Sequence, residues 1–136
     1  MLDPNTLYND LPLRDSKLDV RIVTINPSRI KAVLPGYIVD PLHCTLESTA
    51  LSDAQAFDAL SYCWGDTTAP KELNVNGLTI SVSSNLHQAL LHLRHPAIPR
   101  RVWIDAICIN QESNEEKAAQ VSVMADIYAT SKLVVA

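Results

Sequence analysis

The chain reads as an α/β protein: a parallel sheet core with an inserted β-hairpin and N-terminal strands. Three observations predict this class. An apolar run from Val102 to Ile109, interrupted by Asp105, stops abruptly at Asn110-Gln111, as a strand buried on both faces does on reaching a sheet edge. Leu73 and Val75 alternate with polar residues before Asn76-Gly77, and Leu78, Ile80 and Val82 alternate after it; Asn-Gly supplies the two positive φ angles of a tight hairpin turn. Leu86, Leu90 and Leu93 then recur at i, i+4 and i+7, a helix placed where a crossover between parallel strands belongs.

Taken in order, residues 1–16 are polar, carry Pro4 and Pro12, and read as a flexible leader. Residues 17–56 read as N-terminal strands and a loop. Leu18 to Ile25 alternates apolar with polar until Asn26-Pro27 stops it, a second extended stretch covers Tyr37 to Leu46, and Ser48 to Gln55 is a surface loop. Phe57 to Trp64 reads as a buried strand that breaks at Gly65-Asp66. Beyond the hairpin, Ser83 or Ser84 caps the helix, and Pro96 and Pro99 end it. The strand from Val102 follows, then Ser113-Asn114-Glu115-Glu116, a capping box in which Ser113 accepts from the Glu116 amide while the Glu116 side chain reaches back. The helix it opens carries Val121, Met124, Ile127 and Tyr128 on one stripe, with Ala118 and Ala125 beside it. Lys132 to Ala136 reads as a strand cut at its middle, so the chain is expected to be C-terminally truncated.

With 136 residues, 47% hydrophobic and 19% charged, one core is expected, removing roughly two thirds of the unfolded surface from water. A net charge of -4, with no basic cluster longer than Arg100-Arg101, argues against nucleic acid as a partner. The amino terminus has neither a basic start nor an apolar stretch, and no run approaches the ~18 apolar residues of a membrane span. Cys44, Cys63 and Cys108 are odd in number and widely spaced, which fits reduced thiols in a cytoplasmic or nuclear compartment.

The chemistry-bearing residues cluster around the end of the apolar run. Asp105 is either a brace for the loop beyond its strand or a direct ligand or catalytic group, because a carboxylate there needs a hydrogen-bonding partner or a place at the rim. Asn110 and Gln111 can hydrogen-bond a ligand's polar edge or serve the turn. Glu116 either closes the capping box or pairs with Asp105 for acid/base work. Trp64, Gly65 and Asp66 follow a strand, and Gly65 would let a ligand approach the backbone; Trp64 and Trp103 read more simply as core. No metal site is expected, since the cysteines and His43, His87, His92 and His95 form no ligand spacing. Cys108 reads as an inert buried thiol.

In order and spacing, Ala59 to Asp66, Val75-Asn76-Gly77, Asn85-Leu86 with Ala89-Leu90, Trp103 to Gln111, Glu116-Lys117 with Gln120-Val121, and Met124 with Ile127-Tyr128 resemble the fungal heterokaryon incompatibility (HET) domain. The match covers 57–136; Lys117 stands where the family pattern usually has arginine, and the family continues past the last strand. The resemblance implies non-self recognition and programmed cell death in fungi, with Gln120 among the motif residues. The HET domain is itself distantly similar to Toll/interleukin-receptor (TIR) domains. That similarity implies a flavodoxin-like sheet whose first three strands are Leu60-Ser61-Tyr62, the Trp103 strand and Lys132 to Ala136.

Three functions follow from the resemblance. One is a signalling or interaction module working through protein partners, either incompatibility proteins or further copies of itself, in the cytoplasm and without a cofactor. Another is a TIR-like hydrolase for which NAD is the substrate, with its catalytic glutamate beyond Ala136. The third is a non-functional truncated remnant.

Overall fold

The computed structural model describes residues 5–27, 41–61 and 70–135. Its strands are β1 (Asp19–Ile25), β2 (His43–Ala50), β3 (Asp58–Leu60), β4 (Lys71–Val75), β5 (Leu78–Val82), β6 (Arg100–Ile104) and β7 (Leu133–Val135). They form one mixed sheet in the order β5-β4-β2-β1-β6-β3-β7. The helices are α1 (Asn5–Asn9), α2 (Ser84–Leu93), α3 (Asp105–Cys108), α4 (Asn114–Ser122) and α5 (Met124–Thr130).

Strand β1 lies in the middle of that order, antiparallel to both β2 and β6. A central strand is covered on both faces, so Val20, Ile22, Val23 and Ile25 are all buried, and Arg21 with them. Its partner β2 runs on to Ala50, and Ser48 to Ala50 pair with Asp19 to Arg21. The expected loop at Ser48 therefore begins only at the short 3-10 turn Leu51–Asp53.

On the other side of β6, strands β6, β3 and β7 run parallel, with Leu60 opposite both Ile104 and Val135. Arg100 and Trp103 stand three residues apart on β6 and so point to opposite faces. Arg100 Nη1 donates to the Leu93 carbonyl of α2 at 3.4 Å. The Trp103 ring meets Tyr128 of α5 edge to face at 5.7 Å between centroids. Hence α2 covers one face of the parallel strands and α5 the other.

The hairpin forms where expected, with φ of 54° at Asn76 and 80° at Gly77. It is part of the sheet, because β4 pairs in parallel with β2 through His43 and Cys44. The Asn76 amide clamps it there, accepting from Leu46 N at 2.8 Å and donating to Leu46 O at 3.0 Å. Ser83 caps α2 by accepting from Leu86 N, and Leu86 and Leu90 fill the core.

Three further expectations change. The run from Val102 is a strand only to Ile104; Asp105 then opens the single turn of α3, which still buries Ile107, Cys108 and Ile109. An apolar run of this length suits a buried helical turn as well as a strand, and periodicity alone does not separate them. The helix after Ser113 is two helices, broken at Val123 (φ −112°, ψ 9°). The break turns Val121 outward, 57% exposed, while Ile127 is fully buried and Met124 and Tyr128 pack partly against the core; Ala118 and Ala125 are exposed. The leader is docked from residue 5 onward: Leu7 is buried in the core and the Tyr8 hydroxyl donates to Ile107 O at 2.7 Å. The stretches expected at Tyr37 to Asp40 and Tyr62 to Trp64 lie outside the described residues.

Truncating the buried member of the broken stripe, Ile127→Ala, should lower unfolding free energy by about 2–5 kcal/mol. Val121→Ser should change it by less than about 0.5 kcal/mol. Urea titrations of the two variants measure both, and equal losses would restore the continuous helix.

Candidate functional site

The aligned ends of the parallel strands create an edge. Leu60, Ile104 and Val135 are its last rungs, and Ser61 N donates to Val135 O at 2.8 Å beyond them. Asp105, half-buried, is the residue that follows Ile104. In an open sheet with helices on both faces, the crevice outside the carboxyl ends of the strands is where ligands bind. This edge is the candidate site.

The loop after α3 is held by its own polar groups. Gln111 Nε2 donates to Ile109 O at 3.2 Å and to Asp105 O at 2.9 Å, a carbonyl that also accepts from Ile109 N at 3.3 Å, so it ties the loop to both ends of the short helix. Asn110 Oδ1 accepts from Glu112 N at 3.1 Å, and Ser113 N donates to Asn110 O at 3.1 Å, an Asx-type turn. Of the two readings given to Asn110 and Gln111, the structure places both side chains in the turn.

Ser113 Oγ accepts from Glu116 N at 3.2 Å, one half of the capping box. The other half is replaced, because the Glu116 carboxylate reaches inward and holds Arg21. Arg21 Nη2 donates to Glu116 Oε1 at 2.8 Å and Nη1 to Oε2 at 2.9 Å, a bidentate pair with both residues buried. The same carboxylate accepts from Asn110 N. Its hydrogen bonds run to the guanidinium and the loop backbone.

The guanidinium is shared further. Nη1 donates to Cys108 O at 3.0 Å, Nε to Leu11 O at 2.9 Å, and the Tyr8 ring lies 5.0 Å from its carbon. One turn beyond Glu116, Gln120 is fully buried and its Nε2 donates to Ser16 O at 2.7 Å and Asp19 O at 2.9 Å. Glu116 and Gln120 thus form the inward face of α4, two polar groups where a nonpolar stripe would be usual.

Sequence reasoning singled out Glu116 and Gln120 and missed Arg21, the partner of Glu116. The signal was a cation within a strand flanked by apolar residues, at the same parity as Val23 and Ile25. Trp64, Gly65 and Asp66 lie outside the described residues. Trp103 is fully buried, as expected of a core residue. Burial pushes the thiols of Cys108 and Cys44 up to about 12, and it pushes the Tyr8 phenol to a similar value, so all three stay protonated at neutral pH. Among the described residues, no group of three or more His, Cys, Asp or Glu is placed to hold a metal, and no helix is long and apolar enough to cross a membrane.

Residues 57–136 match the family described as heterokaryon incompatibility protein (HET). The chain is also 34% identical over 141 residues to heterokaryon incompatibility protein 6, OR allele, of Neurospora crassa. That alignment covers 94% of the chain and 20% of the relative, so the chain spans about a fifth of the length of the curated relative it matches. No solved structure matches.

Replacing Glu116 by glutamine should cost about 3–5 kcal/mol, because it leaves a buried guanidinium without its counter-charge. The double change Arg21→Met with Glu116→Leu should restore most of that loss, and chemical denaturation of the three proteins checks both outcomes. In a Cys63→Ser background, a disulfide reagent at pH 8 should leave Cys44 and Cys108 unmodified until the protein is unfolded, since the thiolate is the reactive form.

Proposed function

Because this chain belongs to the heterokaryon incompatibility (HET) family, we propose that it serves fungal non-self recognition as the death-inducing module of a cytoplasmic protein. It does so by protein contact, with incompatibility proteins or with further copies of itself, and needs no cofactor. The family match over 57–136 carries this reading. Support for contact over chemistry comes from Glu116, whose carboxylate is tied to Arg21, and from Asn110 and Gln111, whose side chains hold the loop. Asp105 stands half-buried at the strand ends beside that braced loop.

A second reading has an observation of its own. The parallel strands stand in the order β6-β3-β7, second-first-third along the chain, with α2 and α5 on opposite faces. A flavodoxin-like, doubly wound sheet begins with this order and binds nucleotides at its switch point, just outside the first and third strands. On this reading the domain is TIR-like and contributes to NAD hydrolysis.

Expression of the full-length product in a filamentous fungus, beside an Asp105→Asn version at equal abundance, separates the two. Under the contact reading, cells should die with NAD intact, and the variant should kill at least about 10-fold less, the loss expected for one charge-assisted contact. NAD that collapses before viability, and is spared by the variant, would replace the contact reading with the enzymatic one.

A further inference from the structure

The leader is docked on the domain by few contacts. Helix α1 has five residues, and a helix shorter than ~12 residues is marginal in water without packing. Leu7 enters the core, while Tyr8 and Leu11 are half-buried against it, and residues 5–11 add no strand to the sheet. The base of the leader is fixed separately. Arg14 N and Asp15 N donate to Asp19 Oδ2 at 2.9 and 3.3 Å, and Gln120 Nε2 donates to Ser16 O at 2.7 Å. Pro12, exposed, lies between the docked part and this base.

Both hydrogen bonds by which residues 5–11 reach other parts of the described chain fall on the support of the strand-end site. Tyr8 Oη donates to Ile107 O at 2.7 Å, and Leu11 O accepts from Arg21 Nε at 2.9 Å. The first occupies a carbonyl in the last turn of α3, where no further helix supplies a donor. The second completes the guanidinium that grips Glu116 and Cys108 O, with the Tyr8 ring 5.0 Å from its carbon. Glu116 in turn accepts from Asn110 N in the loop after α3. Lifting the leader would take the donor from Ile107 O and the acceptor from Arg21 Nε. It would also bring water to the ion pair, where attraction between charges falls several-fold.

We propose that residues 5–11 are a detachable strap: docked, they hold the α3 turn and the α3–α4 loop in place, and released, they loosen both while the sheet stays folded. Segments with little buried apolar contact are the ones that open locally in a native protein. Here the opening is tied by Tyr8 and Leu11 to the two groups, Ile107 O and Arg21, on which that loop depends. Anything that captures the leader would thereby alter the surroundings of Asp105. As a control on Asp105 the strap rests on the reading of the strand ends as the working site, whereas the opening itself is measurable whether or not that reading holds.

The test is amide hydrogen exchange of the intact chain at rising urea concentrations, read residue by residue. The amides of Leu11, Ile109 and Asn110 should open as one unit, at least about 10-fold less protected than Leu46 and Asn76 at the hairpin clamp. Tyr8→Phe keeps the ring and removes the donor, and should speed exchange at Ile109 and Asn110 by about 10-fold. Early exchange at Leu11 with Ile109 and Asn110 as protected as the hairpin would mean that the leader leaves alone, which overturns the coupling. One common level for all five amides would make the leader part of the core and overturn detachment. Exchange at Ile109 and Asn110 that Tyr8→Phe leaves unchanged would overturn the proposal as well. An Asp105→Asn version that kills as well as the parent would instead strike the function proposed above and leave the strap standing.

Discussion

A single buried cation organises this domain. Arg21 sits in the central strand with its side chain out of water, where an uncompensated charge would cost several kcal/mol. It is compensated by a bidentate carboxylate, two backbone carbonyls and the face of an aromatic ring. These partners belong to three segments that Arg21 ties to β1: Tyr8 and Leu11 before the sheet, Cys108 at the end of α3, and Glu116 on α4. Because the guanidinium's N–H groups are fixed in one plane, satisfying them sets the relative positions of those segments in a way that apolar packing would leave looser.

The consequence reaches the candidate site. In the loop between α3 and α4, the Asn110 backbone N–H donates to the Glu116 carboxylate and the Gln111 side-chain amide donates to Asp105 O. Asp105 therefore stands at the strand ends on a support whose rigidity derives from the buried ion pair. That edge follows from one topological fact, that β3 lies between two strands parallel to it.

Much of the architecture was legible in the residues. Asn76-Gly77 marked its hairpin because few residues adopt two successive positive φ angles, Ser83 and Ser113 marked their helix starts, and the helical spacing of Leu86 and Leu90 marked α2 and its buried face. Misreadings fell where burial on both sides erased the periodic signal. Val102 to Ile109 looked like one strand because its apolar residues, Ala106 apart, are all buried, whether by pleat or by helical turn. Val121 looked inward because the break at Val123 has no Gly or Pro to announce it.

At the candidate site the division is sharper. The sequence by itself determined the α/β class, the hairpin, the helix caps, the family and the prominence of Asp105 and Glu116, since all of these rest on patterns among near neighbours or on a motif spread in order along the chain. Only the tertiary structure decided what Glu116 does. Its partner lies 95 residues away, and a capping box and a buried ion pair look the same over the four residues in which the box is read. It also decided that Arg21 is interior and that the leader is docked. Each depends on which strand becomes the centre of the sheet, and that choice is made by long-range pairing, to which local periodicity is blind.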